Sequence, residues 1–399
     1  MDLAFGAEDQ QFREEIRQFL TDNLPADIQQ RQRDTRTLAS NTHDLQRWMQ
    51  ILDARGWSVP HWETAYGGTD WSPLKKFIFE EELHQADAPE FHWQSTHMIG
   101  PIIYMFGSDA QKARYLPSIR RGDYLWCQGF SEPGAGSDLV SLKTMAIREG
   151  DHFRVNGQKI WTSAAFESEW GFFLVKTDMN VKPQRGISFL LIDMETPGIT
   201  VRRIGQINGE AELCEVFLDD VMVPAENLVG EAGMGWTYAK ALLDHERTVS
   251  SFIHFNKREL RRAKEIAQAE TAGGRRLIDD PQTRARLVAL DAQVTALEWS
   301  VLRVLADEPN RYGGTAAAST LKITGSRLQQ AITELQADLL GPRALRYYDP
   351  VDWNEPASPL WPHHVAGRTS AALISRASTI YGGSEQVQKN ILGKIAFGL

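Results

Sequence analysis

Cysteine is scarce in this chain: 2 residues, Cys127 and Cys214, among 399. A disulfide-stapled secreted scaffold is thereby excluded. Basic charge is in deficit as well. Lys and Arg number 43 against 52 Asp and Glu, a formal net charge of -9. The whole-molecule field repels nucleic acid, and a polyanionic partner would need a local basic patch. No uninterrupted apolar run is long enough to span a bilayer, which argues against membrane insertion. Met1 to Phe19 carries scattered acids and no apolar core, unlike a secretory signal, so the expected compartment is cytoplasmic. Internal repeats and low-complexity tracts are missing too. The remaining balance is 42% hydrophobic, 24% charged and 10% aromatic, which excludes disordered and fibrous classes. A chain this long is expected to divide into two or three domains.

The texture changes twice along the chain. Residues 1–122 read as helical. Phe12, Ile16 and Phe19 recur at helical spacing, a second amphipathic stretch covers Leu45 to Leu52, and Pro73 opens another through Leu83. Gly107-Ser108-Asp109 looks like the capped start of a short helix. Residues 123–232 carry short apolar runs punctuated by turns, which predicts a β barrel or sandwich. Gly150-Asp151 and Asn156-Gly157 both read as hairpin turns there. Residues 233–399 turn helical again. No Gly or Pro interrupts Trp236 to Ala272, which permits one very long helix. Leu287, Leu290, Val294, Leu297 and Val301 form one stripe, and further helices are expected at 315–340 and 364–380. Long striped helices with little sheet to cover pack as a bundle, with faces left over for oligomerisation. The expected fold class is α+β: an N-terminal helical domain, a middle β domain and a C-terminal four-helix bundle.

Two segments carry chemistry. The first runs from Gln128-Gly129-Phe130-Ser131 through Glu132-Pro133-Gly134-Ala135 to Gly136-Ser137-Asp138, directly after the strand at Tyr124 to Cys127. Its glycines let backbone approach a flat or anionic ligand closely, and its N–H groups and hydroxyls are donors. It also reads simply as a polar loop with a turn at Pro133-Gly134. It is no Rossmann fingerprint, because no βαβ pattern surrounds it. The second segment, Lys159-Ile160-Trp161-Thr162-Ser163, sets an indole beside two hydroxyls. An indole can back an aromatic cofactor while hydroxyls bond its heteroatoms. Taken singly, Trp161 reads as a core aromatic.

Together, at this spacing and in this α–β–α order, the two segments resemble those of the acyl-CoA dehydrogenases. The resemblance runs over essentially the whole chain. It implies an FAD flavoprotein of lipid β-oxidation type, an oxidoreductase that removes an α proton and a β hydride from an acyl-CoA thioester, the hydride passing to flavin N5. By that resemblance Gln128, Phe130, Ser131, Gly136 and Ser137 contact the flavin, and Trp161, Thr162 and Ser163 back its ring, with Ser163 nearest N5. Ser137 also lies toward the substrate. The family places its base in one of two positions. One is the Glu of a Tyr-Glu-Gly stretch, here Tyr381-Gly382-Gly383, so Gly382 stands where the Glu would be. The other matches Glu246 in Leu243-Asp244-His245-Glu246-Arg247. Glu246 is therefore the implied catalytic base, with Arg247 assigned to the substrate. Read alone, Glu246 is an ordinary solvated helix glutamate.

Two departures from the family pattern bear on assembly. The Arg-x-x-Phe-Gly stretch that homotetrameric members lend to a neighbour's flavin is replaced by Ala272-Gly273-Gly274-Arg275-Arg276-Leu277. The Gly-Gly-x-Gly element is replaced by Leu339-Leu340-Gly341-Pro342-Arg343. The pattern resembles catalytic large subunits of two-component acyl-CoA dehydrogenases, such as those acting on pimeloyl-CoA or steroid side chains. It implies a homologous small subunit in a heterotetramer, a homo-oligomer being the simpler assembly, and electron-transferring flavoprotein as acceptor. A non-catalytic assembly partner and a flavin oxidase or monooxygenase on the same fold are the competing expectations. Trp93 and His97 are placed at the acyl end. His92, His97, His363 and His364 show no spacing that builds a metal site.

Overall fold

The computed structural model describes residues 5–33, 41–245, 251–306, 313–345 and 362–399; the side chains of 243–245, 313–315 and 363 stand outside the description. The N-terminal region is built from α1 (Ala7–Asn23), α2 (Ala26–Arg33), α3 (Thr42–Arg55), α4 (Pro73–Gln85), α5 (Gly100–Phe106) and α6 (Asp109–Arg121). Three of these starts, those of α3, α4 and α6, carry side-chain caps. Ser72 accepts from the Lys75 N–H with Pro73 at the first position of α4, and Ser108 and Gln111 form a reciprocal capping box on α6. Of the expected α1 stripe, Phe12 and Ile16 are buried against Trp48, Leu52, Ile78 and Phe79, while Phe19 is half-buried at its edge and Leu20 takes the third buried position. A π-helical turn, Gln94–Ile99, precedes α5. Such turns gather at functional sites.

The middle region is a mixed sheet of β1 (Trp126–Gly129), β2 (Met145–Glu149), β3 (His152–Ser163), β4 (Trp170–Lys176), β5 (Ile187–Asp193), β6 (Ile199–Ile204) and β7 (Leu213–Pro224). Its order is β1-β4-β2-β3-β7-β6, with β5 pairing on β4. β4 and β5 are mostly apolar and buried on both faces except at their last residues, Lys176 and Asp193, one face lying against the α5–α6 core and one inside the sheet layer. Gly150-Asp151 is the expected β2–β3 turn. Asn156-Gly157 is not a turn: β3 runs straight through it and pairs with β2 and β7 on its two sides. There the register slips by a bulge. The Asn156 amide exchanges two 2.9 Å bonds with Asp220, to its backbone N–H and its carboxylate, in place of the ladder. Gly157 is required because a Cβ would collide with Thr144.

The C-terminal region holds α7 (Gly235–His245), α8 (Ile253–Ala269), the small hairpin β8 (Thr271–Ala272) and β9 (Arg275–Arg276), α9 (Pro281–Leu305), α10 (Gly313–Leu340), α11 (Arg368–Ile374) and α12 (Glu385–Phe397). The α9 stripe is buried as expected: Leu287, Leu290, Val294, Leu297 and Val301 all face the bundle core. The single helix expected over 236–272 is two. Phe252 has φ +53, and α8 starts after it. The physical reason is tertiary. α7 buries Tyr238, Ala239 and Leu242 in the core shared with α5 and the sheet, whereas α8 buries Leu260, Ala263 and Ile266 in the bundle. The expected helix over 364–380 is also broken: Gly367 takes φ +73, only Arg368–Ile374 is α-helical, and 3-10 turns flank it. α12 follows Gly382 and Gly383, both at positive φ, with Ser384 as its cap.

Buried ion pairs fasten the N-terminal helices to the bundle. Arg262 and Arg261 bond Asp87 at 2.9–3.0 Å, and Arg258 bonds Glu90 at 2.9 Å. Glu259 is buried between Arg262 (2.9 Å) and Arg368 (3.0 Å). Burial opposes its charge, but Arg262, Arg368 and Arg258 outweigh it and hold the carboxyl well below the usual range. Among the described residues no helix is long and apolar enough to cross a membrane.

Candidate functional site

The first chemistry-bearing segment leaves β1 and folds back tightly. Glu132 and Ala135 exchange N–H···O bonds at 2.9 and 3.0 Å, so Pro133-Gly134 is the two-residue turn that the sequence suggests. Beyond it Gly136, Ser137 and Asp138 are exposed. A Cβ at Gly134 or Gly136 would meet nothing within 4 Å, so the backbone here faces open space. Gln128 and Ser131 are half-buried beside it. The Phe130 ring points the other way, edge-on to Phe172 at 5.7 Å and to Phe189 at 6.0 Å, so its side chain serves the core.

The second segment ends β3. The register slips again between Lys159 and Thr162, and Trp161 sits in the slip with φ +62. A left-handed tryptophan is strained backbone, of a kind that clusters at ligand sites. Its indole is 57% exposed. The reading of Trp161 as a core aromatic is therefore overturned: a bulge turns it outward. Thr162 is fully buried, and its hydroxyl has no partner among the described residues. Thr162 lies behind the surface that Trp161 and the half-buried Ser163 share. Nearby, Phe166 is 40% exposed and lies 3.8 Å under the Arg203 guanidinium.

The two segments meet. The Ile160 N–H donates to the Ser131 carbonyl at 3.0 Å. Beneath that contact the Lys159 ammonium, with no exposed side-chain surface, donates to Glu132 at 2.8 Å, to the Leu174 carbonyl at 2.7 Å and to the Phe130 carbonyl at 3.3 Å. Glu132 also accepts from the Lys143 N–H at 2.6 Å and the Thr144 N–H at 2.9 Å. Burial drives the Lys159 amine down to about 8, against the pull of Glu132. For Glu132, burial raises the carboxyl, but Lys159 and the two N–H donors hold it below its ordinary value. Both residues stand in the two segments that the sequence singles out, but 27 positions apart they carry no joint pattern.

The π-helical turn abuts β1 through the Trp126 N–H, which donates to the Ser95 hydroxyl at 3.2 Å. On that turn His97 is stacked between His61 at 3.8 Å and Trp93 at 4.1 Å, each within 14° of parallel to it. Burial, with a smaller push from His61, keeps His97 far below its ordinary value, hence neutral. His61 was not anticipated from sequence.

At the other end of the bundle, Lys322 is 3% exposed. Its ammonium lies 4.6 Å from the Phe252 ring and 4.9 Å from the Tyr381 ring, and donates to the Ser378 carbonyl at 3.0 Å. A Cβ on Gly382 would stand 3.5 Å from that nitrogen, and Gly382 itself has φ +61. A side chain there would be strained, which accounts physically for a glycine at this position. Glu246 and Arg247 lie outside the described residues. Among the described residues no cluster of His, Cys, Asp or Glu is assembled that could hold a metal ion.

The fold and these two segments define a class. Sequence models of the acyl-CoA dehydrogenase N-terminal, middle and C-terminal domains match residues 6–123, 127–221 and 233–397, and the chain belongs to the acyl-CoA dehydrogenase family. It is 34% identical over 399 residues to acyl-CoA dehydrogenase IpdE1 of Mycobacterium tuberculosis, covering 98% of this chain and 97% of that protein. IpdE1 of Mycolicibacterium smegmatis is 32% identical with the same coverage. Among solved structures, the ChsE4-ChsE5 complex from Mycobacterium tuberculosis matches with a TM-score of 0.81 at 30% identity, over 100% of this chain and 99% of that one. The Tcur3481-Tcur3483 steroid ACAD matches with a TM-score of 0.84 at 26% identity, again over 100% and 99%.

Proposed function

We propose that this chain is the catalytic large subunit of a two-component, FAD-dependent acyl-CoA dehydrogenase that converts an acyl-CoA thioester to the trans-2-enoyl-CoA. The observation that carries it is the joined pair of segments: an exposed, left-handed Trp161 held one hydrogen bond from a loop of bare backbone at Gly134 and Gly136. These residues fit an isoalloxazine. The indole offers an apolar face, the loop offers N–H groups with no side chain in the way, and Ser131, Ser137 and Ser163 supply hydroxyls. When bound, the flavin supplies the hydride acceptor. Gln128, Ser131, Gly136 and Ser137 hold it from the loop, with the Phe130 backbone, and Trp161 and Ser163 from β3, where the buried Thr162 sits between them. Glu246 takes the α proton. Ser137 and Arg247 attend the thioester substrate.

The division at 122/123 and 232/233 assigns the flavin loop to the middle unit and the base to the bundle. Two features support a second, homologous subunit. The elements at 272–277 and 339–343 depart from the family pattern, and Val288, Ile395 and Phe397 are exposed apolar residues on the bundle. The similar ChsE4-ChsE5 and Tcur3481-Tcur3483 structures are each named for two components, and the second is named a steroid ACAD, which favours a bulky alicyclic acyl group. Electron-transferring flavoprotein is the acceptor and the cytoplasm the compartment in this reading. The test is the visible spectrum of the chain purified alone and after co-expression with a homologous neighbour. Flavin retained only in the complex supports the two-component reading. A flavin-saturated, fully active homotetramer of this chain alone sinks it.

A further inference from the structure

We infer that the buried Lys159–Glu132 pair is a positioning device that sets the loop 131–138 and the Trp161 bulge in one fixed relation, so that neither segment can be placed for a ligand without the other. This rests on the reading above that both segments hold the flavin.

The geometry is specific. Lys159 lies two residues before Trp161, and Glu132 lies directly after Ser131. The ammonium spans three elements: Glu132 in the loop, the Phe130 carbonyl at the end of β1, and the Leu174 carbonyl of β4. Glu132 binds the chain a second time, through the Lys143 and Thr144 N–H groups that close the far end of the loop. One carboxylate thus pins both ends of the segment from Glu132 to Thr144, and one ammonium ties that segment to the strand bearing Trp161. A buried charge pair is no efficient way to gain stability, since apolar residues of the same volume often do as well. It is an efficient way to fix one arrangement, because removing either partner leaves an uncompensated charge. Trp161 needs such fixing. Its left-handed backbone is unfavourable by itself and persists only where the surroundings over-determine it. Neither Lys159 nor Glu132 has exposed surface enough to touch a ligand directly, so both are positioning residues.

The experiment compares wild type with Glu132→Gln, Lys159→Met and the double variant, each in whichever assembly retains flavin. Three quantities are read: the FAD dissociation constant, the reduction potential of the bound flavin, and hydrogen exchange of peptides covering 128–145 and 157–164. Glu132→Gln keeps size and acceptor and guards against a variant that does not fold. We expect the FAD dissociation constant to rise at least tenfold in both single variants. The potential should shift in FAD-saturated protein, which a merely structural role would not produce. Exchange should quicken in the two peptides and nowhere else, and the double variant should lose less than the sum of the singles. Folded variants with unchanged exchange, affinity and potential would overturn the inference. If wild type holds no flavin in any assembly, yet the variants free both peptides together, the functional reading falls while the positioning role stands.

Discussion

The peptide N–H of Ile160 donates to the carbonyl of Ser131 at 3.0 Å. With the Lys159–Glu132 pair beneath it, that bond joins two stretches of sequence that each resemble half of a flavin site. It places Trp161 one residue from the loop that leaves β1. What the loop and the bulge can do, they do from one shared surface.

Trp161 gives the first prediction, and its two consequences have opposite signs. Its backbone sits at φ +62, where glycine is at ease and tryptophan is not. Trp161→Gly should stabilise the apoprotein by about 1 kcal/mol. The same change removes the ring face and should weaken FAD by about two- to tenfold, matching an aromatic contact of about 0.5–1.5 kcal/mol. Thermal melts of apoprotein and flavin titration read the two effects separately. A destabilised apoprotein with unchanged flavin affinity would return Trp161 to a packing role.

The base assignment gives the second. Glu246→Gln should slow thioester-driven flavin reduction by about 10²–10⁴-fold while leaving flavin content intact. Adding Gly382→Glu should not restore it. Residue 382 is at φ +61, and a carboxylate there would be drawn to the Lys322 ammonium, 3.5 Å from its Cβ. Stopped-flow absorbance after mixing with acyl-CoA measures both. Rescue by the second change would place the working base at 382.

Much of the scaffold is legible in the sequence because it is periodic or capped. The α9 stripe from Leu287 to Val301, the Ser108 cap and the Pro133-Gly134 turn need only local information. What escapes is set by tertiary contact. Asn156-Gly157 has turn composition, but β2 and β7 hold it extended on both sides. The absence of Gly and Pro after Trp236 permits a continuous helix and does not compel one; α7 and α8 are claimed by different cores. At the site, residue types are readable and their arrangement is not. Nothing local marks Trp161 as left-handed and exposed, Thr162 as inward, or Lys159 as the partner of Glu132.

Acid should test the ring stack. Burial, with His61 adding to it, keeps His97 neutral, and burial takes His92 down to about 4. Both folded values lie below the unfolded value near 6.5. Between those values the unfolded chain binds protons that the folded chain refuses, so stability should fall as pH drops from about 6.5 toward 4. Glu80, raised to about 7 by burial, works in the opposite direction, so the comparison is between wild type and variant. His97→Phe keeps a flat ring between His61 and Trp93 and should flatten the acid limb of a melting-temperature profile. An unchanged limb would show that His97 is not what titrates.

Gly325 tests the contact between α10 and the start of α8. A Cβ there would overlap the Ser251 carbonyl, and Gly325 also accepts from the Asn256 amide at 3.1 Å. Gly325→Ala should destabilise the fold by about 1–3 kcal/mol through overpacking, despite alanine's better helix propensity. Urea unfolding decides the sign, and a stabilised variant would mean that the two elements are not in contact.

The most direct test of the whole account is the visible spectrum of the chain, co-expressed with a homologous partner, as an acyl-CoA thioester is added without oxygen. The account predicts that the oxidised flavin band disappears on mixing, that enoyl-CoA forms in equal amount, and that Glu246→Gln leaves the band standing. A bound flavin that no acyl-CoA thioester reduces would contradict it, as would an assembly that binds acyl-CoA and carries no flavin at all.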